Sequence, residues 1–312
     1  MNKKGFEMSF TWIFSIIAGA AILFLAIYAA SQFIKTHGQE IDTQTSVKLA
    51  ILLDPLETSL ESGKRSIIDF GANTKIYNDK CYTYGNFGEQ SIGILTSQGR
   101  NARPSYGKPQ YNKHIFSQNI EEGKEFSVFS KPFALPFKVS DLIFFSGREY
   151  CFVQTPESIR EELEGLGIMN VNFTESKASC KDGSQKVCFG QSSGCEIAVY
   201  GNNYDFSSGY LIKEGKTLYF TDSLIYGAIF SSPSVYECNV KRLSLRLANL
   251  GEVYLDKIKI LDNINCNSLM DSSLNEIITL ARNLNSSQQL FVIKEKADET
   301  EKINEAAECK VY

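Results

Sequence analysis

Hydrophobic residues are distributed unevenly along the chain, and the longest apolar run lies near its beginning. No charged residue occurs between Glu7 and Lys35, and residues 9–34 are rich in Ile, Ala, Leu and Phe. About 26 helical residues would extend roughly 39 Å, more than the bilayer hydrocarbon core of about 30 Å. The pattern therefore predicts a tilted transmembrane helix. Trp12 and Tyr28 lie near its ends, where aromatic side chains favour the membrane interface.

The charges that flank this segment indicate its orientation. Lys3 and Lys4 precede it and Lys35 follows it. Because basic residues favour the cytoplasmic side, we expect the N-terminus inside and the rest of the chain outside. A cleaved secretory signal is the alternative, since the small residues 29–31 could form a cleavage site, although its apolar core would be unusually long.

A second helical pattern follows the apolar run. Leucines recur at spacings of three and four between residues 49 and 60, which is typical of a helix with one apolar face. Pro55 cannot lie in an undisturbed helix interior, so a break is expected near residue 54. Residues 35–63 are thus predicted to form a juxtamembrane helical stalk.

The middle of the chain has the pattern of β-strands. Residues 64–230 are rich in Phe, Tyr, Val and Ile and are punctuated by Gly and Asn. A hairpin is expected around Lys213-Glu214-Gly215-Lys216, and a short helix over residues 156–166. Among the expected strands are residues 76–84, 125–132 and 142–154.

The last part of the chain returns to a helical pattern. Ser232-Pro233 is a favourable helix start, and Asn283 to Ser287 is expected to interrupt a helical region over residues 270–309. The predicted fold class is α+β, with a mainly antiparallel β ectodomain and a C-terminal helical region that packs on it. The predicted divisions are residues 1–8 (cytoplasmic), 9–34 (transmembrane), 35–63 (stalk), 64–230 (β-rich) and 231–312 (helical).

Eight cysteines support an extracytoplasmic location. All of them follow the apolar segment, and an even number in an exported domain predicts up to four disulfides. Eight cysteines allow 105 pairings, so the connectivity stays open. Buried free thiols and a zinc site are the alternatives, although neither His37 nor His114 is near a cysteine in sequence. The disulfide candidates are Cys81, Cys151, Cys180, Cys188, Cys195, Cys238, Cys266 and Cys309.

Two Asn-x-Ser/Thr triplets lie in the same part of the chain. They begin at Asn172 and Asn285 and are candidate glycosylation sites of an exported surface.

The search for catalytic and cofactor-binding motifs predicts no such site. Residues 190–194 match Gly-x-Ser-x-Gly, but a strand-like segment follows Ser192 where the nucleophile motif requires a helix. Residues 209–216 resemble a phosphate loop with one residue too many and in a strand–turn–strand context. His114 and His37 are interpreted as structural and surface residues, and the glutamates of residues 161–164 as a solvated helix face. No catalytic residue, metal site or cofactor is predicted.

The N-terminal residues resemble the leader of a type IV prepilin of the archaeal class III kind. Lys3-Lys4-Gly5-Phe6 is followed at once by the long apolar helix. The resemblance implies cleavage between Gly5 and Phe6 and retention of the helix as anchor and filament core. Glu7 departs from the bacterial pattern, because it is second after the cleavage position rather than fifth.

Most of the chain resembles uncharacterised single-span surface proteins of small-genome archaea. This resemblance implies a location and no particular activity. The segments that carry it are residues 9–14, 53–57, 123–126, 150–153 and 236–242.

Together these observations predict a single-pass membrane protein of the cell surface, and they favour a structural or binding role over an enzymatic one. A pilin-like filament subunit is the first alternative, and an anchored carboxylate-based hydrolase is the second. The expected partners are the lipid bilayer and other envelope proteins or copies of itself. Nucleic acid is not expected, because the net charge is -4 and nucleic-acid binding requires a basic surface.

Overall fold

The N-terminal apolar segment forms one continuous helix, α1 (Trp12–Gln32), in the computed structural model. None of its residues is buried, and its length of about 32 Å matches the thickness of a bilayer core. The helix is thus long and apolar enough to cross a membrane, as predicted. The predicted cytoplasmic segment and stalk lie outside the described residues. The structure describes residues 12–32, 65–96, 103–191, 193–202, 206–266 and 268–312.

The first six strands form one sheet in the order β3-β2-β1-β5-β6-β4. Neighbouring strands are antiparallel except for β4 and β6, which are parallel. The strands are β1 (Arg65–Tyr82), β2 (Glu89–Leu95), β3 (Ser105–Tyr106), β4 (His114–Phe116), β5 (Ile120–Ala134) and β6 (Lys138–Ser146).

This sheet is rolled so that β4, at one end, lies against β1 and β2. The side-chain amide of Gln90 accepts a hydrogen bond from the Ile115 backbone N–H (3.0 Å) and donates one to the Ile115 carbonyl (2.8 Å). Asn78 also donates to the Ile115 carbonyl at 3.0 Å. Two side-chain amides therefore replace the backbone pairing that would join the ends of the sheet. The interior is apolar and consists of Ile68, Ile76, Ile94, Ile115, Phe126, Val128, Ile143 and Phe145.

The other six strands form a second sheet in the order β12-β11-β10-β9-β7-β8. Its β10–β11 and β11–β12 pairs are antiparallel, whereas β7–β8, β7–β9 and β9–β10 are parallel. Helix α2 (Glu157–Leu166) crosses over between the parallel strands β7 and β8. The strands are β7 (Tyr150–Val153), β8 (Val171–Thr174), β9 (Gln185–Phe189), β10 (Ile197–Gly201), β11 (Ser208–Lys213) and β12 (Lys216–Thr221).

One predicted strand is divided between the two sheets. Residues 142–154 have a nearly continuous aromatic and aliphatic pattern, which predicts a single strand. The structure ends β6 at Ser146 and begins β7 at Tyr150. The prediction of a single strand is therefore wrong. Both strands are buried, so their apolar patterns run together across the short turn and look like one strand in the sequence.

The predicted hairpin connects β11 and β12. Lys213 pairs with Lys216, and Glu214 and Gly215 form the turn with φ values of 51° and 71°. Two consecutive positive φ angles are typical of a type I′ turn, which matches the twist of the flanking strands.

Four helices cover the sheets. Ser232 precedes α4 with Pro233 at its first position, as predicted, and a capping box of Ser286 and Gln289 ends the interruption before α6. All seven residues of α3 are buried, and they contribute to a core cluster shared with β5, β6, the second sheet and α4 to α6. The helices are α3 (Leu224–Phe230), α4 (Pro233–Asn263), α5 (Asp271–Arg282) and α6 (Leu290–Ala306).

Candidate functional site: an exposed aromatic face

Exposed aromatic side chains are concentrated at one end of the rolled sheet. Among the residues described after α1, four large aromatic side chains are exposed: Tyr82 (43%), Tyr84 (63%), Phe87 (42%) and Tyr111 (53%). The rings of Tyr82 and Tyr84 are 5.5 Å apart, and both Tyr82 and Tyr111 are close enough to affect the pKa of Tyr84. These four residues are called the aromatic face below.

Three of the four residues come from the end of β1 and the turn that leads into β2. The sequence Cys81-Tyr-Thr-Tyr-Gly-Asn-Phe-Gly88 carries aromatic residues in a Gly- and Asn-containing turn, where they cannot all point into a core. Gly88 has a φ of +61°, and an added Cβ would lie 2.5 Å from the Tyr82 carbonyl oxygen and 2.7 Å from Cγ of Arg242. Only glycine fits this close approach without rearrangement of the turn.

A disulfide fixes the strand that carries Tyr82. Cys81 is bonded to Cys238 of α4, with their Cα atoms 6.2 Å apart. The side chain of Asn249, also on α4, donates to the Asn86 carbonyl at 2.7 Å and holds the turn. The aromatic face is therefore attached to the longest helix at two points.

The guanidinium of Arg242 fixes the segment that carries Tyr111. Arg242 is completely buried, and it donates to the backbone carbonyls of Gln110 (2.9 Å), Tyr111 (3.2 Å) and Lys113 (2.9 Å). Its Nη1 also donates to the side-chain oxygens of Gln90 and Asn239. Burial lowers the pKa of Arg242 to about 10, so the group keeps its charge at neutral pH.

This buried arginine was not identified from the sequence, although a signal exists. Asn239 and Arg242 share a helix face with Val235, because residues three and four apart lie on the same side. Polar residues within the apolar stripe of a long helix indicate a buried hydrogen-bond network.

Three charged side chains near the aromatic face interact with tyrosine side chains. The Tyr84 hydroxyl donates to the carboxylate of Glu89, and this hydrogen bond raises the pKa of Tyr84 to about 12. The Tyr106 hydroxyl donates to Asp79 at 2.6 Å, while Nζ of Lys80 lies 3.5 Å from the centre of the Tyr106 ring. Burial and the bond to Asp79 raise the pKa of Tyr106, so both phenols stay protonated.

The eight predicted disulfide candidates form four pairs, and none of them is a free thiol. Their Cα–Cα distances range from 5.7 to 6.2 Å, which is normal for disulfides. The Cys188–Cys195 bond joins β9 to the segment just before β10. The pairs are Cys81–Cys238, Cys151–Cys180, Cys188–Cys195 and Cys266–Cys309.

The two candidate glycosylation sites have different surroundings. Asn172 is exposed on β8, an edge strand of the second sheet. Asn285 is also exposed, but the hydroxyl of Ser287 in its triplet is buried and donates to Glu237 at 2.6 Å. Modification at Asn285 after folding would require this contact to open, so Asn172 is the better candidate.

Histidine 114 occupies a structural position. It is completely buried, with Nδ1 3.0 Å from the Ser140 hydroxyl. Burial, together with Arg242 and Arg246, holds the pKa of His114 well below its usual range and keeps the ring neutral. His37, Ser192 and the possible cleavage position Gly5–Phe6 lie outside the described residues.

In the part of the chain that the structure describes, the carboxylates of one cavity lack the surroundings of a catalytic acid. A cavity of about 590 Å³ is lined by Asp262 and Asp271, which are both exposed to solvent. A catalytic acid usually has apolar surroundings that favour its protonated form. Glu121 has such surroundings, and burial raises its pKa to about 7. However, Glu121 is completely buried, and it lines neither this cavity nor the smaller cavity beside α2.

A second cavity, of about 230 Å³, lies beside α2 and contains Glu162, Asp222 and Lys131. Lys131 forms an ion pair with Glu162, and the Tyr226 hydroxyl donates to the same carboxylate. Glu161 and Glu164 are exposed, as expected of a solvated helix face, whereas Glu162 is half-buried against Lys131 and Tyr226. Among the described residues, no group of three or more His, Cys, Asp or Glu side chains could hold a metal ion.

No protein-family model, curated protein or solved structure matches this chain.

Proposed function

We propose that this chain is a membrane-anchored extracytoplasmic binding protein of the cell surface, with a cytoplasmic N-terminus, and that the aromatic face contacts its partner. The observation that carries the binding role is the rigid attachment of four exposed aromatic side chains. Single exposed tyrosines are common, but a cluster of exposed aromatic groups marks an interaction surface, and aromatic residues are enriched where proteins bind partners.

The location is supported by two independent features. Helix α1 has the length and apolar composition of a membrane span, and none of its residues is covered by the rest of the protein. Four disulfides follow it, and disulfides persist in oxidising compartments outside the cytoplasm. Because all the disulfides lie on one side of the span, the pattern fits a membrane anchor that is followed by an exported domain.

The binding role is supported by preorganisation. The Cys81–Cys238 disulfide and the Arg242 hydrogen bonds hold the backbone on both sides of the aromatic face. Tyrosine has only two side-chain torsions, so little conformational entropy is lost when such a surface binds. Rigid support therefore leaves more of the contact free energy available for affinity.

The location is tested with epitope tags at both ends of the chain and protease added to intact cells. We expect the C-terminal tag to be digested and the N-terminal tag to be protected until the membrane is permeabilised. Protection of the C-terminal tag in intact cells would contradict the proposed location.

The binding role is tested by photo-cross-linking in the same cells. A benzophenone amino acid is placed at Tyr84 and, as the matched control, at Ile212, an exposed residue of β11 in the second sheet. We expect an adduct of increased mass from position 84 and none from position 212. If neither position gives an adduct, the aromatic face does not bind a partner.

A further inference from the structure

A small groove lies where strands β1 and β5 of the rolled sheet meet the turns that precede β7 and β8. Its volume is about 190 Å³, and the residues that line it include Ile67, Glu125, Glu149, Met169 and Asn170. Cavities that hold drug-sized ligands have about 300–1,000 Å³, so this one suits a single long side chain or another small group. It is called the acidic groove below.

The charged side chains that line the acidic groove have the same sign. Among the described residues these are Glu125 and Glu149, and both are exposed. Glu125 lies directly opposite Asp69 in the pairing of β1 with β5, which places a third carboxylate beside the groove. Like charges directly opposite each other in a sheet are destabilising, and a cation at this position would remove the repulsion.

The cations closest to the groove in the chain or on β1 do not neutralise it from inside. In the part of the chain that the structure describes, Arg65, Lys124 and Arg148 are not among the lining residues. The guanidinium of Arg148 instead donates to the Ile120 carbonyl at 3.3 Å and lies 3.8 Å from the carboxylate of Glu121. The local potential therefore favours a positively charged occupant.

A buried acceptor in the acidic groove points to the same kind of occupant. Asn170 is only 9% exposed, and its Nδ2 donates to the Arg148 carbonyl at 2.6 Å. Its Oδ1 has no hydrogen-bond partner among the described residues. Buried side-chain oxygens are normally hydrogen-bonded, and lysine and arginine are side chains that only donate.

The apolar part of the lining distinguishes an organic cation from a metal ion. The side chains of Ile67 and Met169 are 39% and 62% exposed, so they offer apolar surface beside the carboxylates. Calcium requires six to eight oxygen ligands and gains nothing from such surface. Lysine and arginine lay their apolar stems along hydrophobic groups while the charged end reaches polar ones.

From this combination we infer that the acidic groove binds the side chain of a lysine or arginine of a partner protein. The apolar stem lies on Ile67 and Met169, and the cationic end donates hydrogen bonds to Glu125, Glu149 and Asn170. The groove is near the beginning of β1, whereas the aromatic face is at its end. This inference therefore goes beyond the proposed function and does not depend on it.

The inference is tested by methyl NMR of the full chain in detergent micelles, with labelled methionine methyl groups. The chain has four methionines, of which Met169 lines the groove and Met270 is completely buried elsewhere. The probes are Nα-acetyl-arginine amide and Nα-acetyl-lysine amide. We expect both to shift the Met169 signal saturably at millimolar concentration, because few contacts are made, and to leave Met270 unchanged.

Two controls separate charge recognition from other effects. Nα-acetyl-citrulline amide keeps the shape of the arginine probe without its charge and should bind about tenfold more weakly or less. Glu125→Gln/Glu149→Gln should weaken the arginine probe by about tenfold or more for the same reason. Both residues are exposed, and an unchanged Met270 signal shows that the variant folds. Glu301→Gln/Glu305→Gln, on α6, removes the same charge and should bind within about twofold of the wild type, because distant exposed charges are screened.

Three results would overturn the inference: no saturable shift at Met169, equal binding by the wild type and Glu125→Gln/Glu149→Gln, or equal binding of the arginine and citrulline probes. Calcium chloride is titrated separately. A Met169 shift at lower calcium than arginine-probe concentration would assign the groove to a metal ion and would also overturn the inference. None of these results affects the cross-link from position 84, so the two proposals fail separately.

Discussion

Two charged residues, Glu121 and Lys213, are buried where the two sheets meet. Nζ of Lys213 donates to the carbonyls of Ile229 (2.8 Å) and Ser231 (2.7 Å) and so satisfies the C-terminal end of α3. Burial lowers the pKa of Lys213 to about 7. The buried lysine stabilises a helix whose own residues are all uncharged, because an ammonium group at this end satisfies otherwise unpaired carbonyls.

Glu121 has a corresponding position in the rolled sheet. Its carboxylate accepts hydrogen bonds from the backbone N–H groups of Gly147 (3.1 Å) and Gln118 (3.4 Å), and Arg148 lies 3.8 Å away. Burial nevertheless raises its pKa to about 7, with Arg148 and Lys213 as the cations that oppose this effect. The folded state therefore favours the protonated carboxyl more than the unfolded state does.

We predict that Glu121→Gln changes the pH dependence of stability. The carboxyl pKa rises on folding, so its favourable contribution is present in acid and is lost as the pH rises through about 7. Relative to the variant, the wild type should lose up to about 3 kcal/mol of unfolding free energy between pH 5 and pH 8. Urea unfolding of the full chain in detergent at several pH values measures this difference.

Glu122→Gln is the matched control, because Glu122 is the adjacent residue and lies on the surface. Its hydrogen bond to Asn73 and its ion pair with Lys75 lower its pKa. Its contribution is therefore lost as the pH falls, which is the opposite sign. Parallel pH profiles for the wild type and Glu121→Gln would show that burial of Glu121 has no such effect.

At the scale of elements, the contact between α4 and the rolled sheet holds the architecture together. The two ends of the sheet are joined by the amides of Asn78 and Gln90 rather than by a continuous backbone ladder. Arg242 completes this junction, because it bonds both to Gln90 and to the backbone of the segment before β4. The backbone carbonyls at this junction would otherwise lack hydrogen-bond donors, and the single buried guanidinium supplies them.

We predict that Arg242→Met destabilises the protein by about 3 kcal/mol or more, because buried carbonyls lose charged donors. Arg246→Met is the control on the same helix, one turn later. Arg246 is partly exposed and bonds to Val139 and Asn112, so its loss should cost only about 1 kcal/mol. Urea unfolding compares the two variants. Equal stabilities would mean that the guanidinium does not hold the sheet junction.

At the scale of the whole molecule, the disulfides tie distant parts of the chain to one another. Cys81–Cys238 joins the rolled sheet to α4 across 157 residues, and Cys266–Cys309 joins the end of α4 to the last residues. The other two disulfides lie in the second sheet. Cross-links of this kind restrict the unfolded chain and suit a domain exposed outside the cell.

We predict that protein purified from membranes reacts with a thiol reagent at eight cysteines after reduction and at none before it, because all eight are paired. Intact-mass spectrometry under denaturing conditions measures both states. The same spectrum tests processing, and we expect residues 1–5 to be present. A chain that begins at Phe6 would instead support the prepilin-like alternative, and free thiols at all eight positions would contradict the disulfide prediction.

Local features were predictable from the sequence because their causes are local. The apolar helix α1 follows from an uninterrupted run without charges, and the start of α4 follows from Ser232 and Pro233. The turn at Glu214 and Gly215 follows from the conformational freedom of glycine. In each case the physical preference acts within one helix or one turn, so neighbouring residues are sufficient to predict it.

The sequence by itself determined the apolar span, the mixed α+β class and the possibility of four disulfides. Only the tertiary structure decided which cysteines pair, where residues 142–154 divide between two sheets, and how the first sheet closes through Gln90. It also brought Tyr111 beside Tyr84, although these residues are far apart in the chain. Such contacts depend on how the sheets and helices pack together, and hydrophobic periodicity carries no information about which distant segments become neighbours.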